Sequence, residues 1–177
     1  EMQQTHEGFQ KGVRSVLTAR KEAVKGFNGV RGVIADLVTT PQKYEAAVEA
    51  ALSSNLQAIV VGHEQALTEI IDYLKANALG KATFLPLKAF REPPEVKISG
   101  GELATDVVET AAEYKNILGF LLGRTAIVDH LNTALQKREE YRRAGIERIA
   151  TLGGELVYCS GPVIGGSAHK DATSLLG

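Results

Sequence analysis

A glycine-rich segment near the C-terminus is the first part of the sequence whose residue types and spacing could support chemistry. In the segment GPVIGGSAHKD (161–171), three glycines are followed by a serine, a histidine and a lysine. A phosphate-binding P-loop requires G-x-x-x-x-G-K-[ST], because its lysine must reach the outer phosphates. Gly161 and Gly166 have the right separation, but Ser167 occupies the lysine position. The spacing therefore argues against nucleotide binding, and the glycines need another explanation.

Two histidines are the other candidates for chemistry. His63 and His130 each follow a predicted buried strand directly, where α/β folds commonly place ligands. They leave two alternatives open: a small α/β enzyme, or a regulatory ligand-binding domain with a pocket between two repeated units. Neither histidine has a spaced metal partner such as H-E-x-x-H, and no G-x-S-x-G elbow is present. We therefore predict no catalytic residue, no metal site and no cofactor in this chain.

Composition limits the class of protein. The chain has 177 residues, 44% apolar and 23% charged, with a net charge of −1, so no overall basic field points to nucleic acid. The single cysteine, Cys159, excludes an internal disulfide. No apolar run has the length of a membrane span, and no signal peptide opens the chain. We expect a cytoplasmic protein that makes no membrane contact, and the abrupt start suggests a piece of a longer chain.

An internal repeat organises the elements that must position these residues. The run ADLVTTPQKYEAAVEAAL (35–52) aligns with TDVVETAAEYKNILGFLL (105–122). After a two-residue slip, AIV at 58–60 aligns with AIV at 126–128. The sequence therefore predicts two related units, roughly 30–90 and 100–158, which pack against each other because neither alone has much core.

Each unit has the pattern strand, helix, strand, which predicts a mixed α/β fold. The short branched apolar runs LQAIVV and TAIV indicate buried strands, and 64–77 has helical spacing of its apolar residues. The predicted following strands are 82–87 and 148–152, the predicted linker is 90–101, and the predicted terminal helices are 9–20 and 168–176. We place one domain over 1–177, with subdomain I at about 1–95 and subdomain II at about 96–177.

Four ordered segments carry a resemblance to a known family. They are FNGVRGVIADLVTTPQKYEAAVEAALSSNLQAIVV, GKATFLPL, LLGRTAIVDHLNTAL and ERIATLGGELVYCSGPVIGGS. Together they resemble the hinge domain of SMC (structural maintenance of chromosomes) proteins, the chromosome-organising ATPases, and in particular of prokaryotic SMC. The resemblance spans roughly residues 9–170.

The resemblance implies a fold and a function. The implied fold is the α+β SMC hinge fold, with two pseudo-repeated subdomains, each a small sheet flanked by helices, and helical termini leading into an antiparallel coiled coil. The implied function is homodimerisation of an SMC protein in chromosome condensation and segregation during the cell cycle, at the nucleoid. The family's ATP site lies in head domains outside this chain, so the chain itself is not expected to be an enzyme.

The resemblance also assigns residues. By matching position, the glycines that line the dimer interface are Gly161, Gly165 and Gly166, and Gly29 and Gly32 match a second glycine motif with a turn or interface role. The family's hinge also contacts DNA through basic surfaces near the coiled coil. The candidates here are Lys11, Arg14, Arg142, Arg143 and Lys170. Phosphate contacts of this kind are independent of DNA sequence and weaken with salt.

Overall fold

The structure, a computed structural model, describes residues 2–166. Its α-helices are α1 (Met2–Lys21), α2 (Ile34–Leu37), α3 (Glu45–Leu52), α4 (Gln65–Ala76), α5 (Ala104–Val107), α6 (Lys115–Leu122) and α7 (Leu131–Arg143). Its strands are β1 (Val30–Val33), β2 (Val38–Thr39), β3 (Ile59–Val61), β4 (Phe84–Pro86), β5 (Glu102–Leu103), β6 (Glu109–Thr110), β7 (Thr125–Val128), β8 (Arg148–Thr151), β9 (Leu156–Tyr158) and β10 (Val163–Ile164). The predicted mixed α/β class is confirmed.

The chain divides into two compact units that are not contiguous in sequence. Unit 1 contains the chain up to Ile34 and Gln57–Phe90, and unit 2 contains Ala35–Leu56 and the chain from Arg91 onward. One division between the units falls between Phe90 and Arg91. The segment Ala35–Leu56 differs from expectation, because its packing partners lie in unit 2 and not in the unit that precedes the boundary.

Unit 1 is a three-stranded sheet with two long helices. The strand order is β1-β3-β4, with β1 antiparallel to β3 and β4 parallel to it. Helix α1 packs against α4 and β1, and it buries Val13 and Val16 on the face that helical spacing predicts. Phe27 is fully buried and meets Tyr73 edge-on, with 5.1 Å between ring centroids. These contacts form the core of unit 1.

Unit 2 is a five-stranded sheet in the order β10-β9-β8-β7-β5. Helices α3 and α7 both pack against β8 and β9. Tyr141 of α7 is fully buried, and its hydroxyl donates to the Ser99 carbonyl over 2.7 Å. Burial raises the pKa of Tyr141, so this phenol remains a neutral donor. Cys159 lies in the same core, and burial raises the pKa of its thiol, as expected for a small core residue.

The predicted repeat is confirmed by the element order. The series β1, α2, β2, α3, β3, α4, β4 recurs as β5, α5, β6, α6, β7, α7, β8. The pairing recurs as well: β3–β4 and β7–β8 are parallel, whereas β1–β3 and β5–β7 are antiparallel. Strands β9 and β10 follow the second copy and have no counterpart after β4.

A small two-stranded sheet in unit 2 joins equivalent strands of the two repeats. Strands β2 and β6 pair antiparallel, with Thr39 opposite Glu109. The Thr40 hydroxyl donates to the Val107 carbonyl over 2.6 Å, and the Thr110 hydroxyl donates to the Leu37 carbonyl over 2.7 Å. The repeat offset of 70 residues relates Thr40 to Thr110 and Leu37 to Val107, so the two hydrogen bonds are equivalent. This sheet therefore has local two-fold pseudosymmetry.

The predicted helix over 168–176 lies outside the described residues. Within the part that is described, no helix combines the length and the apolar character needed to cross a membrane.

Candidate dimerisation surface

The glycine-rich segment forms a hairpin and an edge strand. After β9, the Gly161 amide donates to the Tyr158 carbonyl over 2.9 Å, and the Tyr158 amide donates to the Pro162 carbonyl over 2.8 Å. This turn reverses the chain, so that Val163 and Ile164 pair antiparallel with β9 as strand β10. Pro162 immediately before the strand is compatible with an edge position, because proline cannot donate to a ladder.

Strand β10 ends the five-stranded sheet and presents apolar side chains to solvent. Val163 is 45% exposed and Ile164 is 56% exposed. Among the described residues, they are the only two adjacent positions in the group of exposed large apolar side chains. A sheet edge with unpaired backbone groups and exposed apolar side chains readily accepts another strand.

Three of the predicted interface glycines, Gly161, Gly165 and Gly166, lie at this edge. Gly161 and Gly166 bracket the strand with φ of +141° and +126°, in the backbone region that favours glycine. A Cβ at either position would meet no atom within 4 Å in the single chain. A Cβ at Gly165 would lie 3.6 Å from Cγ of Glu155, an ordinary contact. The chain itself therefore leaves space beside these glycines.

Gly29 and Gly32 lie elsewhere, at β1 in unit 1. The Gly29 carbonyl accepts a hydrogen bond of 2.8 Å from the Gly62 amide. Gly32 has φ of +131° at the irregularity in the β1–β3 register, where the pairing shifts between Val30 and Gly32. The structure therefore gives both residues local backbone roles within unit 1.

Unit 1 has an open strand edge at β4. Strand β4 corresponds by repeat to β8, whose outer edge is covered by β9. In unit 1 the same edge of β4 ends the sheet. Among residues 2–166, the strand position beside β8 is thus filled in unit 2, and the equivalent position beside β4 is open in unit 1.

The candidate DNA-binding residues fall into two groups. Lys11 and Arg14 lie on α1, where the Lys11 ammonium donates to the Ala78 carbonyl over 3.1 Å and Arg14 is exposed. Arg142 and Arg143 end α7, in unit 2. Lys170 lies outside the described residues.

The two α7 arginines share one acidic partner, Glu139, which offsets one of their two positive charges. Arg142 makes a short hydrogen-bonded ion pair with Glu139, and Arg143 Nε lies 3.5 Å from Oε2 of the same carboxylate. The hydrogen bond from Arg142 lowers the pKa of Glu139, which keeps the carboxylate charged. These arginines therefore present less net positive charge than the sequence alone indicates.

The two histidines are both exposed and lie in different units. His130 Nε2 is 4.0 Å from Oδ2 of Asp129, whose pKa is lowered mainly by a hydrogen bond from Thr133. Among the described residues, no three His, Cys, Asp or Glu side chains are grouped to hold a metal ion. A groove of about 950 Å³ exists in unit 2, but its lining comes from the 92–123 region and includes neither histidine. Neither histidine is therefore placed in this groove or in a metal-binding group among the described residues.

Two candidate features were missed by sequence reasoning: the exposed pair Val163–Ile164 and the edge of β4 that lacks a neighbouring strand among the described residues. The first had a usable signal, because two branched residues stand between turn-forming Pro162 and Gly165. The second had none, since the sequence of β4 is as apolar as that of a covered strand.

Comparison with known proteins gives one family. The model for the SMC proteins flexible hinge domain matches residues 27–138. The chromosome partition protein Smc of Bacillus subtilis (strain 168) is 35% identical over 188 residues, which covers 99% of this chain and 15% of that protein. The chain thus spans only a small part of the length of the relatives it matches.

Solved structures have the same fold. The SMC hinge domain of Geobacillus stearothermophilus, solved as an asymmetric dimer, has a TM-score of 0.79 and 33% identity, covering 98% of this chain and 71% of that chain. The Pyrococcus furiosus SMC hinge domain has a TM-score of 0.69 and 30% identity, covering 94% and 96%. The fold predicted from the sequence is confirmed.

Proposed function

This chain belongs to the family of SMC flexible hinge domains, and we propose that it joins two copies of its parent protein through strand β10. The observation that carries this proposal is the open apolar edge of β10 bracketed by Gly161 and Gly166. The dimer described for the Geobacillus relative supports it.

The chemistry of β10 suits a strand as its partner. Its outward amides and carbonyls need hydrogen-bond partners, and a second chain can supply both. Burial of a fully exposed Val or Ile side chain contributes about 1.5–3 kcal/mol, so each of these half-exposed side chains adds roughly half of that. Gly161 and Gly166 carry no Cβ, which allows the incoming backbone to approach closely.

The open edge of β4 in a second copy is the site we propose for β10. The combined sheet then has the order β1-β3-β4 in one copy followed by β10-β9-β8-β7-β5 in the other. The two ends of the combined sheet are equivalent by repeat: β1 and β5 are outermost, β3 and β7 come next, and β4 and β8 follow. The β10–β9 pair lies at the centre. Because β8 and β9 are antiparallel, the same symmetry makes the β4–β10 pair antiparallel.

Reciprocal exchange closes the assembly. Each copy has one β10 to donate and one β4 edge to accept, so a two-fold dimer forms two such sheets. A closed arrangement leaves neither of these edges exposed for further association. The expected product is a dimer and not an open filament.

The test is the mass in solution by light scattering over a dilution series, for the native chain, Ile164→Lys and Ile71→Lys. Ile71 is an exposed apolar residue of α4 and serves as the matched control. We expect native chain and Ile71→Lys to have twice the 18.9 kDa chain mass and Ile164→Lys to be monomeric. A native monomer at every concentration, or a dimer that Ile164→Lys leaves intact, contradicts the proposal.

We further propose an accessory contact with DNA, made mainly by unit 1. Unit 1 carries nine Lys and Arg against six Asp and Glu, whereas unit 2 carries eleven against fifteen. Arg14 is exposed on α1 and has no ion pair within the described part of the chain, in contrast to Arg142 and Arg143. A locally positive surface on a near-neutral protein supports weak, salt-sensitive phosphate contact.

The DNA test compares Arg14→Gln with Arg143→Gln, each of which removes one positive charge. Fluorescence anisotropy with a labelled duplex, measured over a salt series, gives the affinity and its salt slope. We expect Arg14→Gln to weaken binding and to reduce the slope by about one unit. Arg143→Gln should have a smaller effect, because Arg143 lies 3.5 Å from the Glu139 carboxylate, whereas Arg14 has no such neighbour among the described residues. Equal effects of the two variants on DNA affinity would contradict the proposal that unit 1 makes the main DNA contact.

In the parent protein, this domain would serve chromosome partition at the nucleoid by linking two subunits. ATP hydrolysis would belong to head domains in other parts of that protein.

A further inference from the structure

The loop that follows α4 lies directly on the backbone of α1. The Lys81 amide donates to the Gly8 carbonyl over 3.0 Å. A Cβ at Gly12 would lie 1.8 Å from the Lys81 carbonyl oxygen, so only glycine allows this approach. Gly80, with φ of +93°, is also too close to α1 for a side chain, since a Cβ there would lie 2.3 Å from the Gly8 carbonyl oxygen. Main chain packs on main chain at this point.

One side chain of α1 holds the same loop, and a second approaches it. The Lys11 ammonium donates to the Ala78 carbonyl over 3.1 Å. The Ser15 hydroxyl donates to the Lys11 carbonyl of its own helix over 2.8 Å and lies 3.4 Å from the Leu79 carbonyl. The positions 8, 11, 12 and 15 follow i, i+3, i+4 and i+7 spacing, so they share one face of the helix. This face of α1 is therefore matched to the loop 77–81.

The loop continues almost at once into β4. Only Ala82 and Thr83 separate Lys81 from the first residue of the strand. The Thr83 carbonyl accepts a hydrogen bond of 2.8 Å from the Ile59 amide, which attaches this end of β4 to β3. A displacement of the loop therefore acts on the edge strand of unit 1 through a short, hydrogen-bonded connection.

We propose that the loop 77–81 is a clamp that couples helix α1 to strand β4. The clamp holds α1 and the open sheet edge of unit 1 as one body, so a change in the direction of α1 is passed to β4. Lys11 serves this clamp through its bond to Ala78, and this role is separate from DNA contact. The clamp lies within a single chain, and only its consequence for subunit joining rests on the proposed function.

The test compares Gly12→Ala with Gly8→Ala. Both variants replace a glycine of α1 by alanine and gain the same helix propensity. A Cβ at Gly8 meets nothing within 4 Å, whereas a Cβ at Gly12 meets the Lys81 main chain. Amide hydrogen exchange is measured by NMR at Lys81, at Ile59 and, as a reference in unit 2, at Cys159, whose amide donates to the Glu147 carbonyl.

We expect Gly12→Ala to accelerate exchange at Lys81 and Ile59 by at least about tenfold relative to Gly8→Ala, with Cys159 unchanged. Unchanged exchange at Lys81 would overturn the clamp. Acceleration at Lys81 without Ile59 would overturn its coupling to β4. Uniform acceleration that includes Cys159 would show global destabilisation and would also count against a local device.

A second variant avoids steric strain. Lys11→Met removes the ammonium bond to Ala78 and leaves both glycines in place, so exchange at Lys81 should accelerate by a smaller factor. No change in this variant would exclude Lys11 from the clamp. Light scattering on the same samples records the dimer separately, so a monomeric native chain with the expected exchange pattern counts against the proposed function alone.

Discussion

Thr40 and Thr110 show how single residues encode the internal symmetry of this chain. Each hydroxyl donates to a backbone carbonyl of the opposite repeat, and the two bonds are related by the repeat offset. Both side chains are half-buried, so the carbonyls they satisfy have limited access to water. A partly buried carbonyl that loses its donor costs free energy comparable to a lost hydrogen bond.

At this scale we predict that Thr40→Val and Thr110→Val destabilise the protein by similar amounts, about 1 kcal/mol each. The substitution is nearly isosteric, so the loss of unfolding free energy measures the contribution of the hydroxyl group. Urea unfolding measures the free energy of unfolding, and Thr39→Val, with an exposed side chain in the same strand, is the control. Markedly unequal losses of unfolding free energy for the two threonine variants would show that the two equivalent hydrogen bonds do not contribute equally to stability.

At the scale of secondary-structure elements, the two edges of the five-stranded sheet differ. Strand β10 exposes Val163 and Ile164, whereas β5 at the other edge has exposed Glu102 and half-buried Leu103. Charged residues at a sheet edge discourage pairing with another chain, and exposed apolar residues favour it. On this physical ground, the β10 edge favours pairing with another strand more than the β5 edge does.

This difference leads to an element-scale prediction. Hydrogen exchange at the amides of β10 and β4 should slow as the protein concentration rises, because a second copy then covers both edges. Amides of β5 should exchange at the same rate at every concentration and provide the internal control. Mass spectrometry of peptides that contain each strand measures the three rates. Slowing at β10 without β4 would retain the dimer but reject β4 as the acceptor.

At the scale of the whole molecule, one segment of the first repeat folds with the second. Ala35–Leu56 belongs to unit 2, where α3 packs against β8 and β9 and β2 pairs with β6. Helix α3 buries Ala47, Val48, Ala51 and Leu52. Without unit 2, these apolar side chains would be exposed to water, so a cut between the repeats separates α3 from its core.

We therefore predict that residues 1–95 and 96–177, produced separately, are each poorly folded, and that mixing them restores native structure. Circular dichroism and the dispersion of amide proton signals measure the folding of each piece and of the mixture. An uninterrupted chain that starts at residue 1 is the reference. A cooperative unfolding transition of 1–95 alone would show that the 35–56 segment does not need unit 2.

The sequence by itself determined the elements and their repetition. Branched apolar runs predicted β3 and β7, helical spacing predicted α1 and α4, and the aligned segments predicted two related units. These features depend on local periodicity and on which side chains must leave water, and both are written directly in the order of residues. The same order carried the motifs that identified the hinge family.

Only the tertiary structure decided which surfaces meet. The sequence could not place 35–56 in unit 2, pair Glu139 with Arg142 and Arg143, or bind Lys11 to the Ala78 carbonyl. Nor could it show that β4 has an open edge while its equivalent β8 is covered. Apolar patterning specifies that a side chain is buried and not against which partner, because many partners offer the same transfer free energy and geometry alone selects among them.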